Sequence, residues 1–225
     1  MFSTLLVISI LVALYWFAVR RWFGRWGATP ADLTRVMAGD AMIVNPTQSA
    51  THAVTVDART DDIWPWLVQM GYQRGGLYSY DWLDRLFGFL DRPSANRILP
   101  EFQHLAVGDK IQLGPRQELT VSALEPSRAL VLSYNAHGIE WVWQFGLYPL
   151  DDNRTRLVSR GTERFPNTIG ALLFMRTMEP AAFIMTRRML LSLKRLAEAP
   201  RVRDAISRVT VMNAKSRERG TGCHS

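Results

Sequence analysis

Residues 71–88, GYQRGGLYSYDWLDRLFG, combine glycines, arginines and aromatic rings in a way that could bind a phosphate, an RNA or an apolar ligand. A nucleotide-binding loop needs a Lys-Ser/Thr pair or G-x-G-x-x-G spacing, and the segment has neither. The single Arg-Gly-Gly unit lacks the repetition of RNA-binding tracts. The composition favours a lid at the rim of an apolar pocket, although the same aromatics could only fasten a short helix to a sheet. The predicted rim residues are Arg74, Tyr78, Tyr80 and Trp82.

Other residues with reactive side chains show no spacing that requires catalysis or metal binding. His137 and Glu140 have H-x-x-E spacing, but they fall across a turn and a strand rather than on one helix. Ser79 lacks the G-x-S-x-G pattern of a nucleophile elbow, and the only cysteine, Cys223, lies at the C-terminal end. We therefore predict that the protein binds no metal and no cofactor, and the sequence assigns no catalytic residue. Proton transfer in a dry cavity could still use several polar groups, namely Arg74, Tyr78, Tyr80, Asp81, Tyr134 and His137.

The hydrophobic pattern predicts the elements that position these residues. Alternation at His52, Val54 and Val56 predicts a first strand, and helices are predicted to follow over residues 60–70 and 80–87. Turn sequences separate five further runs of period two, at residues 107–113, 118–124, 129–134, 139–149 and 154–163. A helix is predicted over residues 180–198, after the last of these runs.

One face of the predicted fourth run is large and apolar, because Ile139, Trp141, Trp143, Phe145 and Leu147 alternate with other residues. Only the last helix can cover such a face. A curved sheet around one helix leaves a gap, and aromatic and methionine side chains suit a hydrophobic ligand there. The residues predicted to line this gap are Tyr134, Trp141, Trp143, Met185 and Met189.

Residues 2–19, FSTLLVISILVALYWFAV, are uncharged and apolar, and at ~1.5 Å rise per residue they are just long enough to cross a bilayer. Arg20, Arg21 and Arg25 follow, interleaved with Trp16, Trp22 and Trp26, as is typical of a cytoplasmic interface. No basic segment or small-residue cleavage site marks a secretory signal. We predict a retained single-pass anchor with the next domain in the cytoplasm; a buried helix is the alternative.

The net charge of +7 is confined to the two ends of the chain. Residues 20–35 carry +3 and residues 187–225 carry +7, whereas residues 36–186 carry −3. A nucleic-acid-binding domain needs cations on its folded body, so we predict no nucleic-acid partner and an attraction to anionic lipid instead. The polar residues 200–225 predict a disordered basic tail.

Five blocks of the sequence are distinctive: IWPWLVQMG (63–71), RGGLYSYDWL (74–83), VGD (107–109), LEPSRALVL (124–132) and RRMLLSLKR (187–195). Together they resemble the SRPBCC superfamily, whose helix-grip fold is shared by START lipid-transfer domains, pollen-allergen proteins and polyketide cyclases. The resemblance implies an α+β fold, with a curved antiparallel sheet of six to seven strands wrapped around a long C-terminal helix. It points to a bacterial subgroup, and hence to an inner-membrane location. Such a fold by itself implies no reaction.

The sequence thus predicts four parts: an anchor and interface at residues 1–26, a linker at 27–49, a helix-grip domain at 50–199 and the tail at 200–225. The predicted function is binding of a small hydrophobic molecule, lipid or isoprenoid-like, in a cavity between the sheet and the C-terminal helix. One alternative is a polyketide-cyclase or dehydrase-like enzyme, and another is a protein-interaction module with a filled core. A cavity below ~300 Å³ would favour the filled core. No pattern names a protein partner.

Overall fold

The computed structural model describes residues 4, 6, 7, 10 and 15–199 of the 225-residue chain. These residues form one six-stranded antiparallel sheet, a long C-terminal helix and several short helices. The predicted α+β helix-grip architecture is confirmed in these elements. The predicted tail at residues 200–225 and most of the predicted anchor at residues 2–19 lie outside the described residues.

The sheet has its first strand at one edge, paired with the last strand rather than with the second. Its order is β1-β6-β5-β4-β3-β2, with every neighbouring pair antiparallel. The chain therefore leaves β1 through two helices and returns at the far edge. The strands are β1 (Gln48–Val56), β2 (Lys110–Gly114), β3 (Gln117–Glu125), β4 (Ala129–Ala136), β5 (Ile139–Asp151) and β6 (Arg154–Arg164).

The helices lie before, between and after the strands. A π-helical turn at Tyr15–Val19 leads into the first of them, and short 3₁₀ turns occur at Asp40–Met42 and Pro100–Phe102. The helices are α1 (Arg20–Phe23), α2 (Pro30–Thr34), α3 (Thr60–Val68), α4 (Asp81–Leu86) and α5 (Ile169–Glu198).

The last helix begins at Ile169, not at residue 180 as the sequence predicted. Proline lacks the amide hydrogen that a helix interior uses, which made Pro180 a predicted boundary. In the structure Pro180 lies inside α5, and the Thr168 hydroxyl caps the true start by accepting a hydrogen bond from the Ala171 amide at 3.2 Å. Packing of α5 against β1 and α3 outweighs the one missing hydrogen bond.

The core lies between the concave face of the sheet, α3 and the second half of α5. Ile63 and Leu67 from α3, Phe145 and Leu157 from the sheet, and Leu190 from α5 are each at most 1% exposed. Burying such a side chain contributes about 1.5–3 kcal/mol. The sheet and α5 are therefore joined by a packed core along this half of the helix.

Residues 27–47, here called the strap, cross the convex face of the sheet. Arg160 is 6% exposed and donates to the Asp40 carboxylate at 2.6 Å and to the carbonyls of Asp32 and Arg35 at 2.8 and 3.0 Å. Arg156 donates to the Asp32 carboxylate at 2.6 Å. Burial would raise the pKa of Asp32, but its hydrogen bonds, chiefly from Arg156, bring it below its usual value. Most of the segment predicted as a linker is thus packed on the domain.

Residues 24–26 lie along the free edge of β1. The Thr51 amide donates to the Gly24 carbonyl at 2.8 Å, and the Ala53 amide donates to the Trp26 carbonyl at 3.2 Å. These bonds cover part of a sheet edge that would otherwise invite pairing with another chain. Gly27, with a φ of +70°, then turns the chain onto the convex face, where a Cβ would come within 2.2 Å of the Ala53 carbonyl oxygen.

Candidate functional site

The glycine-rich segment at residues 71–88 is organised by the buried amide of Gln69. The Gln69 Nε2 donates to the Tyr78 hydroxyl at 2.6 Å, and its Oε1 accepts from the Leu99 amide at 2.9 Å. Gly71 and Gly76 exchange two backbone hydrogen bonds of 3.0 Å. The glycines therefore form a tight, packed turn rather than an open phosphate cradle.

Two of the four predicted rim residues belong to this packing. Tyr78 is 2% exposed and packs edge-on against Trp66 at 6.1 Å, and burial raises its pKa to about 12. Arg74 donates to the Val68 carbonyl at 2.8 Å, and its guanidinium lies 4.6 Å from the centroid of the Phe102 ring. Both side chains stabilise the turn, which is the alternative that the sequence left open.

The other two predicted rim residues lie in different surroundings. Trp82 is 66% exposed on α4. Tyr80, just before α4, is half-buried, and the Arg188 guanidinium lies 5.4 Å from the centroid of its ring. Of the four, Tyr80 lines the cleft described below.

A ladder of aromatic rings lies on the concave face of β5, as its alternating pattern predicts. Trp141 and Trp143 stack with centroids 5.8 Å apart, and Trp143 lies 4.9 Å from Phe145. The Trp143 indole donates to the Ser159 hydroxyl at 3.1 Å. Tyr134 lies opposite Trp141 in the sheet and, like both tryptophans, is half-buried against the core. These three predicted site residues are therefore brought together.

The predicted gap between sheet and helix is filled along the second half of α5. Met189 and Leu193 are at most 2% exposed and belong to the same buried cluster as Phe145 and Leu157. Met189 is therefore a core residue rather than part of a cavity lining. Met185, one turn earlier on α5, is half-buried.

A cleft of about 380 Å³ lies instead beside α5, between that helix and the part of the chain before Gly27, here called the N-terminal segment. This volume exceeds the ~300 Å³ at which ligand pockets begin. This cleft is not the cavity predicted between the sheet and α5: core side chains fill that space along the second half of α5, and no sheet residue lines the cleft that the described residues form. The cleft is lined by Trp22, Trp26, Tyr80, Phe183, Ile184 and Arg187.

The cleft has aromatic walls with guanidinium groups at its border. The Arg187 guanidinium lies 5.0 Å from the centroid of the Trp26 ring. Arg188 lies over Tyr80 and is not itself part of the lining; among the described residues its buried Nε has no hydrogen-bond partner. Guanidinium groups prefer carboxylate and phosphate partners. The arrangement suits a molecule with an apolar body and one anionic group.

Phe183 fixes the N-terminal wall of the cleft. It is 6% exposed and stacks on Phe23 with centroids 4.6 Å apart, and the Trp22 and Trp26 rings lie 5.2 and 6.4 Å away. His52 Nε2 donates to the Phe23 carbonyl at 2.7 Å. Burial lowers the pKa of His52, although this hydrogen bond opposes the shift, so the imidazole is neutral at pH 7. Sequence reasoning missed Phe183, because a lone phenylalanine on a predicted helix carries no signal of its partners.

A polar cluster joins the N-terminal segment, α5 and the sheet. Arg20 donates to Glu179 at 2.8 and 3.0 Å, and Arg176 donates to Glu179 at 2.5 Å and to Gln48 at 3.2 Å. Gln48 donates to Glu163 at 2.7 Å. Burial raises the pKa of Glu163, and the nearby Glu179 charge adds to the rise while the Gln48 hydrogen bond opposes it. Because these groups bond to one another, the cluster fastens elements together.

Replacement of Asp84 by asparagine is expected to stabilise the protein at pH 7.5 by about 1–2 kcal/mol. Asp84 is 0% exposed, and burial raises its pKa to about 6 although the Ser79 hydroxyl opposes the shift. The native state therefore binds a proton that the unfolded state releases near its ordinary pKa of 3.8. Native stability is lost as pH rises through about 6, so the advantage of Asp84→Asn should shrink as pH falls toward 4.

Urea unfolding at pH 7.5 and 4.5 measures this difference, with the exposed Asp91→Asn as the matched control. The control should change stability little at either pH. Equal stabilisation by Asp84→Asn at both pH values would contradict the assigned role of the buried charge.

Comparison with known proteins gives similarities to solved structures only. No family model matches the chain, and no curated protein matches it. A polyketide-cyclase-like protein from Corynebacterium glutamicum is 14% identical with a TM-score of 0.40, covering 67% of this chain and 91% of that one. The Zhui aromatase/cyclase from Streptomyces sp. R1128 is 16% identical with a TM-score of 0.37, covering 70% of this chain and 97% of that one. The Aha1 dimer from Colwellia psychrerythraea is 17% identical with a TM-score of 0.41, covering 68% of this chain and 98% of that one.

At such identities and TM-scores, no residue role, ligand or activity is transferred from them.

Proposed function

We propose that this protein is tethered to a membrane by residues 2–19 and binds a small amphiphile, a lipid or isoprenoid-like molecule, in the cleft beside α5. The observation that carries the proposal is the cleft of about 380 Å³, with apolar walls and with Arg187 at its border. The ligand class that fits is a molecule with an apolar body and one anionic group. The proposal assigns the tether to a bacterial inner membrane, with the domain in the cytoplasm, because Arg20, Arg21 and Arg25 follow the apolar segment.

The walls of the cleft support binding of an apolar body. Trp22 and Trp26 present large, rigid rings that lose little conformational freedom when a ligand is bound. Phe183 and Ile184 complete an apolar lining, and each Å² of apolar surface removed from water contributes about 25 cal/mol.

The cations at the border support binding of an anionic group. A hydrogen bond from a guanidinium to an anion contributes about 1.5–3 kcal/mol. Arg187 is held over Trp26 by a cation–π contact, so its charge is positioned beside the cleft before a ligand binds. Arg188 is a neighbouring cation, held over the ring of Tyr80, which does line the cleft.

The exposure of the N-terminal segment supports the tether. Leu6, Val7 and Ile10 are 62, 54 and 56% exposed, so these apolar side chains are not used in the core of the domain. Arg21 and Arg25 are exposed where the apolar segment ends, at the position of cytoplasmic interface residues.

The enzyme alternative finds less support in the polar groups near the cleft. Tyr80 and Arg187 are the polar residues of its lining. Tyr78 is bonded to Gln69, and Arg74 is bonded to a backbone carbonyl in the packed turn. The filled-core alternative fits the second half of α5 but leaves the cleft unexplained. Amphiphile binding accounts for both the walls and the cations.

Replacement of Arg187 by glutamate is expected to weaken binding of an anionic amphiphile by roughly tenfold or more, because it exchanges an attractive ionic hydrogen bond for repulsion. Dodecyl phosphate, below its micellar concentration, is a suitable probe. Binding is measured from the tryptophan fluorescence of the full chain.

The matched control is Arg195→Glu, the same charge reversal at an exposed position of α5 that does not line the cleft. Equal affinities of both variants and the wild type, or no binding by the wild type, would overturn the proposed site. Mass spectrometry of organic extracts from protein purified in its native host would then identify the natural ligand.

A further inference from the structure

The first half of α5 exposes large apolar side chains on several sides of the helix, and these are here together called the outer face of α5. Phe174 is 59% exposed, Leu173 63% and Ile169 87%, which is unusual for a helix that packs on a sheet. The helix is long and apolar enough to cross a membrane, yet only 11% of its most apolar 18-residue window is buried. The outer face comprises Ile169, Leu172, Leu173, Phe174, Met178 and Ile184.

The first half of α5 carries two charges, and both are paired within the protein. Arg176 and Glu179 are the only charged residues between positions 169 and 186. Arg176 lies on the same side of the helix as Ile169 and Leu173, but Glu179 bonds to Arg176 and Arg20, and Arg176 bonds to Gln48 on β1. The Arg176 and Glu179 side chains are 20% and 13% exposed, so apolar side chains form most of the exposed surface of this half of the helix.

The N-terminal segment runs beside α5 in the same direction. Arg20 pairs with Glu179 on α5, and Phe23 stacks on Phe183 one turn later. Trp26 lies against Arg187 after a further turn. Residues 20–26 therefore follow the side of α5 from Glu179 to Arg187, and the proposed tether precedes them in the chain. The outer face is continuous with a surface that the proposed tether brings to the bilayer.

Exposed cations border these apolar surfaces. Arg21 and Arg25 lie at the end of the N-terminal segment, and Arg195 lies on the second half of α5. Each cation near an anionic leaflet contributes about 1 kcal/mol to association. Apolar side chains flanked by arginines complement a bilayer that contains anionic lipid.

We infer that the outer face of α5 is a second membrane contact, which lies in the boundary between lipid headgroups and acyl chains. The occupant of this face is the bilayer, and the inference rests on the proposed tether of residues 2–19. Ile184 belongs to the outer face and also lines the cleft. The contact therefore opens the cleft at the bilayer surface, where an amphiphile can enter it directly from the leaflet.

The test uses the full chain in vesicles of phosphatidylcholine and phosphatidylglycerol. Cys223 is replaced by serine, and a single cysteine at position 174 (Phe174→Cys) carries the environment-sensitive dye NBD. Lipids with a spin label on the acyl chain quench a dye that lies within the bilayer. The matched control is Val107→Cys, because Val107 is 61% exposed and precedes β2 at the far edge of the sheet. Flotation of the vesicles reports attachment separately.

We expect roughly threefold or greater quenching at position 174 than at position 107, since an interfacial apolar face inserts about 5–10 Å. Flotation without this difference would overturn the second contact while leaving the tether in place. If the protein neither floats with the vesicles nor shows quenching, both the tether and the second contact are overturned. Disulfide cross-linking through position 174 without lipid quenching would assign the face to a second copy of the chain and would also overturn the inference. Circular dichroism confirms that both labelled variants are folded.

Discussion

Replacement of Arg160 by alanine is expected to lower the free energy of unfolding by roughly 3 kcal/mol. The side chain is 8% exposed and donates to the Asp40 carboxylate, the Thr51 hydroxyl and the Asp32 and Arg35 carbonyls. Alanine would leave these acceptors without their donor, and an unsatisfied buried group costs about 1–3 kcal/mol. We expect the lower end of the range for a broken buried ion pair, because Asp40 is 29% exposed and can regain water.

The matched control is Arg164→Ala on the same strand and the same face of the sheet. The Arg164 side chain is 45% exposed, pairs with Glu140 and makes one exposed hydrogen bond of 3.2 Å to the Val44 carbonyl of the strap, so its loss should cost no more than about 1 kcal/mol. The free energies of unfolding of the two variants are measured by urea titration in the same detergent solution. Hydrogen exchange should show that Arg160→Ala releases residues 27–47 first. Equal stability of the two variants would contradict the view that Arg160 is the main attachment of the strap.

The sheet could be predicted because its residues obey a simple local rule. Trp141, Trp143 and Phe145 alternate with residues of the opposite face, and the structure places all three on the concave side of β5. Turn residues separate the strands, so the boundaries of β3, β5 and β6 were predicted to within two residues. Alternation depends only on neighbouring residues in the sequence, which is why one sequence was sufficient to predict the strands.

The start of α5 and the packing of the strap could not be predicted, because both depend on distant partners. Pro180 is a strong local signal for a boundary, and tertiary contacts of α5 outweigh it. The strap carries loop-forming residues, and its attachment depends on Arg160 and Arg156, whose partners lie more than a hundred positions away. An arginine in an alternating strand appears as an ordinary exposed residue until its partners are known.

The candidate site was only partly predictable. Tyr80 was predicted as a rim residue and lines the cleft, whereas Tyr78 and Met189 were predicted as ligand contacts and are packed in the core. Trp22 and Trp26 were noticed in the sequence but assigned to a membrane interface. Their spacing of four residues was the available signal for a shared face. It could not show that α5 supplies the opposite wall.

Phe183→Ala is expected to cost about 3–5 kcal/mol of unfolding free energy, the range for removing a buried phenylalanine ring. Phe183 contacts the rings of Trp22, Phe23, Trp26 and His52, so alanine leaves a cavity where the N-terminal segment meets α5. The matched control is Phe174→Ala on the same helix. Phe174 is 59% exposed, and the control should change stability by no more than about 0.5 kcal/mol.

A second measurement connects this stability effect to the site. Because Trp26 is half-buried in the wall of the cleft and packs against Phe183, its fluorescence should shift to longer wavelength in Phe183→Ala as water reaches the ring. Dodecyl phosphate binding should fall in the same variant and persist in Phe174→Ala. If both variants lose little stability and keep the wild-type spectrum, Phe183 does not hold the N-terminal segment, and the cleft has no fixed second wall. A cleft without that wall could not position Arg187 for an anionic ligand, so this pair of variants tests the geometry on which the proposed binding depends.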